Sequence, residues 1–188
     1  SRLGCVVGKS GFKDVSGTMR WDRDAVFEVH ASDVEVLMDE LSPWLQSQPA
    51  LSNHSAEMRD MRGVLSLNAM TLKGPLTTPR DWQLEMAGRM KGFSCTMVAW
   101  PQRIRVDEGA FRFSAAASRW RLSLEDARFP VSEGALQATG TIDYDLGSGL
   151  SADLTLKGDL DKPSMKELAR VVGLPPAHVP GNPLSIST

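Results

Sequence analysis

The chain of 188 residues carries 21 Lys and Arg against 23 Asp and Glu, a formal net charge of −2, with 41% hydrophobic and 23% charged residues. That balance excludes a strongly basic nucleic-acid binder and an intrinsically disordered chain, and the length suits one domain with a real core. No apolar run approaches the roughly eighteen residues that a membrane-crossing helix needs, and two cysteines with three histidines support neither a disulfide scaffold nor a dedicated zinc site.

In chain order, Ser1-Arg2-Leu3-Gly4-Cys5 lacks the charged and apolar regions of a secretory signal, and Cys5 reads as a small strand residue. Ala25, Phe27, Val29 and Ala31 alternate with Val26, Glu28 and His30 and predict a strand, entered from the turn signal Asp22-Arg23-Asp24. Ser32-Asp33-Val34-Glu35 then has the form of a capping box, with Val34, Leu37, Leu41 and Trp44 at helical spacing behind it. This predicts a helix near 33–47, kinked or ended by Pro43. Residues 46–59 are polar, follow neither period, and read as a loop.

Strands are expected over about 61–160. Leu65, Leu67 and Ala69 alternate, and the apolar parity then slips by one at Met70 and Leu72, which predicts a β-bulge. Trp82, Leu84, Met86, Gly88 and Met90 give the cleanest alternation. Phe93-Cys95-Met97, Ile104-Val106, Phe111-Phe113-Ala115, Trp120-Leu122-Leu124, Leu136-Ala138-Gly140-Ile142-Tyr144 and Ala152-Leu154-Leu156 follow it. Turn signals at Asp107-Glu108-Gly109, Ser132-Glu133-Gly134 and Leu146-Gly147-Ser148-Gly149 separate these runs. Short turns between consecutive strands predict an antiparallel meander, because parallel pairing needs long crossovers. A second helix is expected near 163–172, stopped at Gly173, and a further strand opens at 183–188. Residues 1–188 therefore read as a single β-rich segment of a larger protein.

The search for chemistry returns little. No Gly-x-Ser-x-Gly elbow, phosphate loop or dinucleotide fingerprint occurs. His30, His54 and His178 have no second ligand at metal-binding spacing, so each reads as a surface residue. Asp143 and Asp145 share one strand face, and a carboxylate pair can do acid–base work, but the Gly-rich turn beside them favours a solvated strand end. Arg103, Arg105, Arg119 and Arg121 alternate with apolar residues and face away from them. An RNA-binding strand would need its aromatics and cations on one face, so a solvated outer face is the better account, with contact to anionic head groups as the alternative. No enzyme, no cofactor, no metal and no nucleic-acid partner are expected.

From Leu136 to Asp145, through Leu150 to Gly158, then Gly173-Leu174-Pro175 and Pro183-Leu184-Ser185-Ile186, the sequence resembles the AsmA-like family. In that family strands ending in Leu-x-Leu-x-Gly lead into a Leu-x-x-Leu helix, a Gly-Leu-Pro stop and a new Pro-Leu-Ser strand. The resemblance implies a bacterial envelope protein, its parent anchored in the inner membrane and projecting into the periplasm. It further implies a long curved sheet, either groove-like or a partly open barrel, that handles phospholipid in outer-membrane biogenesis. The membrane would be reached through parts of the parent outside this chain. The expected acyl-chain-facing residues are Trp82, Leu84, Met86, Met90, Phe111, Phe113, Trp120, Leu122 and Leu124. The competing expectation is a structural or protein-interaction β-domain whose apolar face is entirely self-buried. Oligomeric state is left open, and Cys5 and Cys95 are free to pair or to stay reduced.

Overall fold

The computed structural model describes residues 3–7, 9–21, 25–47, 58–97, 100–131 and 134–158. They form nine strands and one α-helix: β1 (Leu3–Val7), β2 (Ser10–Arg20), β3 (Val26–Leu37), α1 (Met38–Ser47), β4 (Met58–Pro75), β5 (Gln83–Met97), β6 (Trp100–Ala116), β7 (Arg119–Val131), β8 (Gly134–Asp145) and β9 (Gly149–Lys157). A 3₁₀ turn at Pro79–Asp81 lies between β4 and β5. The strands lie side by side in chain order and every neighbouring pair is antiparallel, the arrangement that alternation and short turns dictate. The sheet is open: β1 and β9 do not pair with each other. A mainly β antiparallel meander, laid out as one open sheet, is thus the architecture. The expected second helix and the strand at 183–188 lie outside the described residues.

One face of the sheet is apolar throughout. Val34, Leu67, Gly88, Phe111 and Leu124 align across β3 to β7, and all five are buried. Around them Met61, Met90, Cys95, Val106 and Ala127 complete the core, with Met38 and Leu41 of α1 packed at one side. The opposite face carries Glu85, Arg89, Arg112, Arg121 and Glu125, all exposed.

The strands are bent by a recurring device. Asp14, Asp33, Asp60 and Asp126 all have positive φ, at 49°, 49°, 50° and 51°. Each lies where the pairing register shifts or where two paired strands slip together. Each sits in a triplet of polar residue, Asp and inward apolar residue: Lys13-Asp14-Val15, Ser32-Asp33-Val34, Arg59-Asp60-Met61 and Glu125-Asp126-Ala127. Asp tolerates the left-handed region better than most side chains. The extra residue returns the next apolar side chain to the core and increases the local twist. Lys91-Gly92-Phe93 does the same in β5, with Gly92 at φ 58°. The bulge expected from the parity slip in β4 is present, between Leu67 and Ala69.

Two expectations are corrected by the same device. Ser32-Asp33-Val34-Glu35 is not a helix cap. β3 runs through it to Leu37, and α1 begins only at Met38. Asp107-Glu108-Gly109 is not a turn, since β6 continues from Trp100 to Ala116 without a break. Of the expected loop at 46–59, residues 46–47 close α1 and 58–59 open β4, and the remainder lies outside the described residues.

Candidate functional site

The nine residues singled out from the sequence fall on one face, which cross-strand register fixes: Leu84 opposes Ala115, Met86 opposes Phe113, Phe113 opposes Leu122, and Phe111 opposes Leu124. The structure brings them together, but it divides them by burial. Met90, Phe111 and Leu124 are 6%, 5% and 4% exposed and belong to the core. Trp82, Leu84, Met86, Phe113, Trp120 and Leu122 are only partly covered. The division follows the strands: side chains near the bulges are buried, and those nearer the β4–β5, β6–β7 and β8–β9 turns stay half open.

Within this open half the aromatic rings are ordered. Phe113 and Trp120 lie with centroids 6.3 Å apart, and Trp120 stacks on Tyr144 at 5.7 Å with 17° between the planes. The three residues come from adjacent strands and form one aromatic row, in which Phe113 is tilted 31° from Trp120. Trp82 is held differently. Its Nε1–H donates to the Pro75 carbonyl at 2.8 Å, and its ring meets Phe27 edge-on at 5.1 Å. Gly74 makes room for it, because a Cβ there would lie 2.6 Å from the Trp82 ring. Trp82 thus anchors the β4–β5 connection as well as bordering the apolar face. The sequence reading missed Leu72, Ala115, Ile142 and Tyr144 as members of the same half-open surface; alternation marked their faces, but only strand register places them beside Leu84, Trp120 and Leu122.

The polar face carries two shallow, open depressions of about 280 and 370 Å³. The first is bordered by Thr71, Glu85, Arg112, Ser114 and Arg121, and the second by Gln83, Ala116, Arg119, Asp143 and Asp145. Cross-strand ion pairs span them. Arg121 Nε donates to Asp143 Oδ1 at 2.6 Å, Arg119 lies 2.5 Å from Asp145, and Arg112 faces Glu125 at 3.7 Å. The Gly147 N–H and the Arg119 guanidinium hold the Asp145 carboxyl below its usual range. A carboxylate kept ionised in this way, beside a partner already satisfied, is poorly placed to donate a proton at neutral pH. The carboxylate pair noticed in the sequence is therefore a pair of cross-strand ion pairs.

Elsewhere, His30 is exposed, with Nδ1 3.0 Å from Thr71 Oγ1 and Nε2 3.4 Å from Glu28. His54 and His178 lie outside the described residues. Among the described residues no three His, Cys, Asp or Glu side chains gather to hold a metal ion, and no helix is long and apolar enough to cross a membrane. Cys95 is a buried free thiol. No family model, curated protein or solved structure matches this chain.

Proposed function

We propose that the half-open part of the apolar face accepts acyl chains, and that the chain is a non-enzymatic, lipid-handling segment of an AsmA-like envelope protein acting in the periplasm. The observation that carries this reading is the persistence of one apolar face across an open sheet. Its side chains remain partly uncovered from Leu72 in β4 through Met86, Phe113 and Leu122 to Ile142 in β8. Five strands at about 4.8 Å spacing give this surface a width of roughly 19 Å. Each methylene removed from water there contributes about 0.8 kcal/mol, so a phospholipid tail gains substantially while its head group stays in water. Such a task needs no catalytic residue. A parent anchored in the inner membrane, delivering phospholipid for outer-membrane biogenesis, accords with the sequence resemblance.

The test is native mass spectrometry of gently purified protein, with Met86→Asp and Leu122→Asp as variants. Co-purified lipid that is lost in both variants, with circular dichroism unchanged, supports the reading. Lipid-free wild-type protein with an intact sheet would overturn it. The burial of Met90, Phe111 and Leu124 favours a second reading, a structural or interaction β-domain with a closed core. Global unfolding of both variants is the outcome that selects it.

A further inference from the structure

The nine strands leave two outer edges, and the two are built differently. β1 is five residues long, and its pairing with β2 shifts register between Leu3 and Cys5. A short, irregular edge of that kind is how natural sheets discourage further pairing. β9 is regular. It runs from Gly149 to Lys157 without proline, and its nine pairs with β8 follow one another without a shift. Among the described residues no strand pairs with its outer side.

Two charges on β9 are also unmatched within the sheet. Asp153, Thr155 and Lys157 share the polar face and are exposed. Their register partners in β8 are Thr141, Thr139 and Gln137, none of them charged. Among the described residues neither Asp153 nor Lys157 forms an ion pair, whereas Asp143 and Asp145 of β8 are held by Arg121 and Arg119. On the apolar face Leu154 and Leu156 are half-buried, opposite Gly140 and Ala138.

We infer that β9 is a dimerisation edge, which pairs antiparallel with β9 of a second copy about a two-fold axis between the two Thr155 residues. The edge is self-complementary in that register. With Thr155 opposite its own copy, Asp153 faces Lys157 of the second copy and Lys157 faces Asp153 of the second copy. Leu154 and Leu156 then meet across the apolar side. Opposite-charge, Thr–Thr and aliphatic pairs are the favourable ones directly across antiparallel strands. No other register matches both charges. An axis at Asp153 or at Lys157 sets like charges against each other, and an axis at Leu154 or Leu156 leaves Lys157 facing Ser151 or Thr155. A slip by one residue would turn polar side chains against apolar ones. This self-matching selects a second copy over an unrelated strand, because both halves of each ion pair come from the same five residues. A two-fold contact uses one surface twice and stops at two copies. Its axis stands perpendicular to the sheet, so the apolar face of one copy runs on into that of the other. The inference does not depend on what that face binds.

Sedimentation velocity of the 188-residue chain over a range of concentrations tests it. The wild type is expected to dimerise reversibly. Asp153→Lys and Lys157→Asp each convert both ion pairs between the copies into like-charge contacts. Each is expected to weaken dimerisation at least about tenfold, with circular dichroism unchanged because both side chains are exposed. Combining the two substitutions restores opposite charges, and dimerisation should return. In a Cys5→Ser background, Thr155→Cys should crosslink two copies through a short bismaleimide, whereas Ser66→Cys, exposed on the polar face of β4, should not. A wild type that stays monomeric overturns the inference and leaves the edge to a different strand. So does a dimer that the single charge reversals leave intact, that the combined variant fails to recover, or that Thr155→Cys does not crosslink.

Discussion

Gly88 of β5 lies against the backbone of Leu67 in β4 so closely that a Cβ at position 88 would stand 2.8 Å from the Leu67 Cα and would press on the Ser66 carbonyl oxygen. The two residues are register partners in the row that runs from Val34 to Leu124. Leu67 and Phe111 flank Gly88 on either side, and the row is buried although it has no side chain at its centre.

Gly88→Ala tests this packing. The obstructing atoms belong to backbone and cannot rotate away, so the two strands must separate or shear. A destabilisation of about 1–3 kcal/mol is expected, as for other overpacked cores. Urea unfolding measures it: the midpoint should fall with the slope unchanged. An unchanged midpoint would mean that β4 and β5 approach less closely than the geometry requires.

Asp126 provides a test of the bulges. Its φ of 51° places it in the left-handed region, its N–H points to Thr139 Oγ1 at 3.3 Å, and the residue after it, Ala127, is 0% exposed. Glycine can adopt that conformation freely, but a β-branched residue is opposed by about 1–2 kcal/mol. Asp126→Gly should therefore leave the urea midpoint nearly unchanged, and Asp126→Val should lower it by about that amount. Equal loss in both variants would assign the role to the Asp carboxylate and not to the backbone.

The bulges also explain which parts of the fold were legible in the sequence. Strict alternation made β8, β9 and the bulge-free stretches 83–90 of β5 and 119–124 of β7 readable, and the faces of Arg119, Trp120 and Arg121 follow from period two alone. Where a bulge intervenes, successive inward residues are three apart, as with Ala31 and Val34 or Val106 and Gly109. A spacing of three is also the helical spacing, so Ser32-Asp33-Val34-Glu35 imitates a helix cap, and Asp107-Glu108-Gly109 imitates a turn inside a continuous strand. The recurring polar–Asp–apolar triplet was the available signal. The candidate surface was legible as a face, but its division into a buried and a half-open part depends on register and twist between strands, which no single strand encodes.

Glu40 ties three elements together through bonds that are exposed at Lys9 and part-buried at Ser10. Its carboxylate accepts the Lys9 N–H at 2.9 Å, the Ser10 N–H at 3.2 Å and the Ser10 hydroxyl at 3.0 Å. The Ser10 Oγ in turn accepts the Leu37 N–H at 3.1 Å, so β2, the end of β3 and α1 meet there. The Lys9 backbone bond is the main cause of the lowered Glu40 pKa, opposed in part by desolvation and aided by Ser10. A depressed folded-state pKa means that the stabilisation is complete above the unfolded-state value and is lost as pH falls through the folded one. Glu40→Gln should thus be less stable than wild type at neutral pH, and the two should converge as pH drops below the ordinary carboxylate range. Urea midpoints across that window measure it, and a constant gap would remove the carboxylate charge from the explanation.

Cys95 reports on whether the β5–β6 half of the core opens. Burial pushes its thiol above the ordinary cysteine range, and the positive Arg103 guanidinium offsets this only in part. That guanidinium is itself held by Ser94 Oγ, at 3.1 Å from Nε and 2.9 Å from Nη2, and by the Asp60 carbonyl at 3.3 Å, so it bridges β6 to β5 and β4 beside the thiol. Two obstacles then slow alkylation: little thiolate is present, and the sulfur is out of reach of reagent. Reaction must proceed through local opening, and its rate relative to the unfolded chain measures the free energy of that opening. In a Cys5→Ser background, iodoacetamide at neutral pH is expected to modify Cys95 at least about a hundredfold more slowly in buffer than in urea. Arg103→Ala should raise the rate in buffer by releasing the strap between the strands, although it removes the cation that favours thiolate. The two effects have opposite signs, so a fall in rate would show that charge outweighs access, and a rise that the Arg103 strap keeps this part of the core closed.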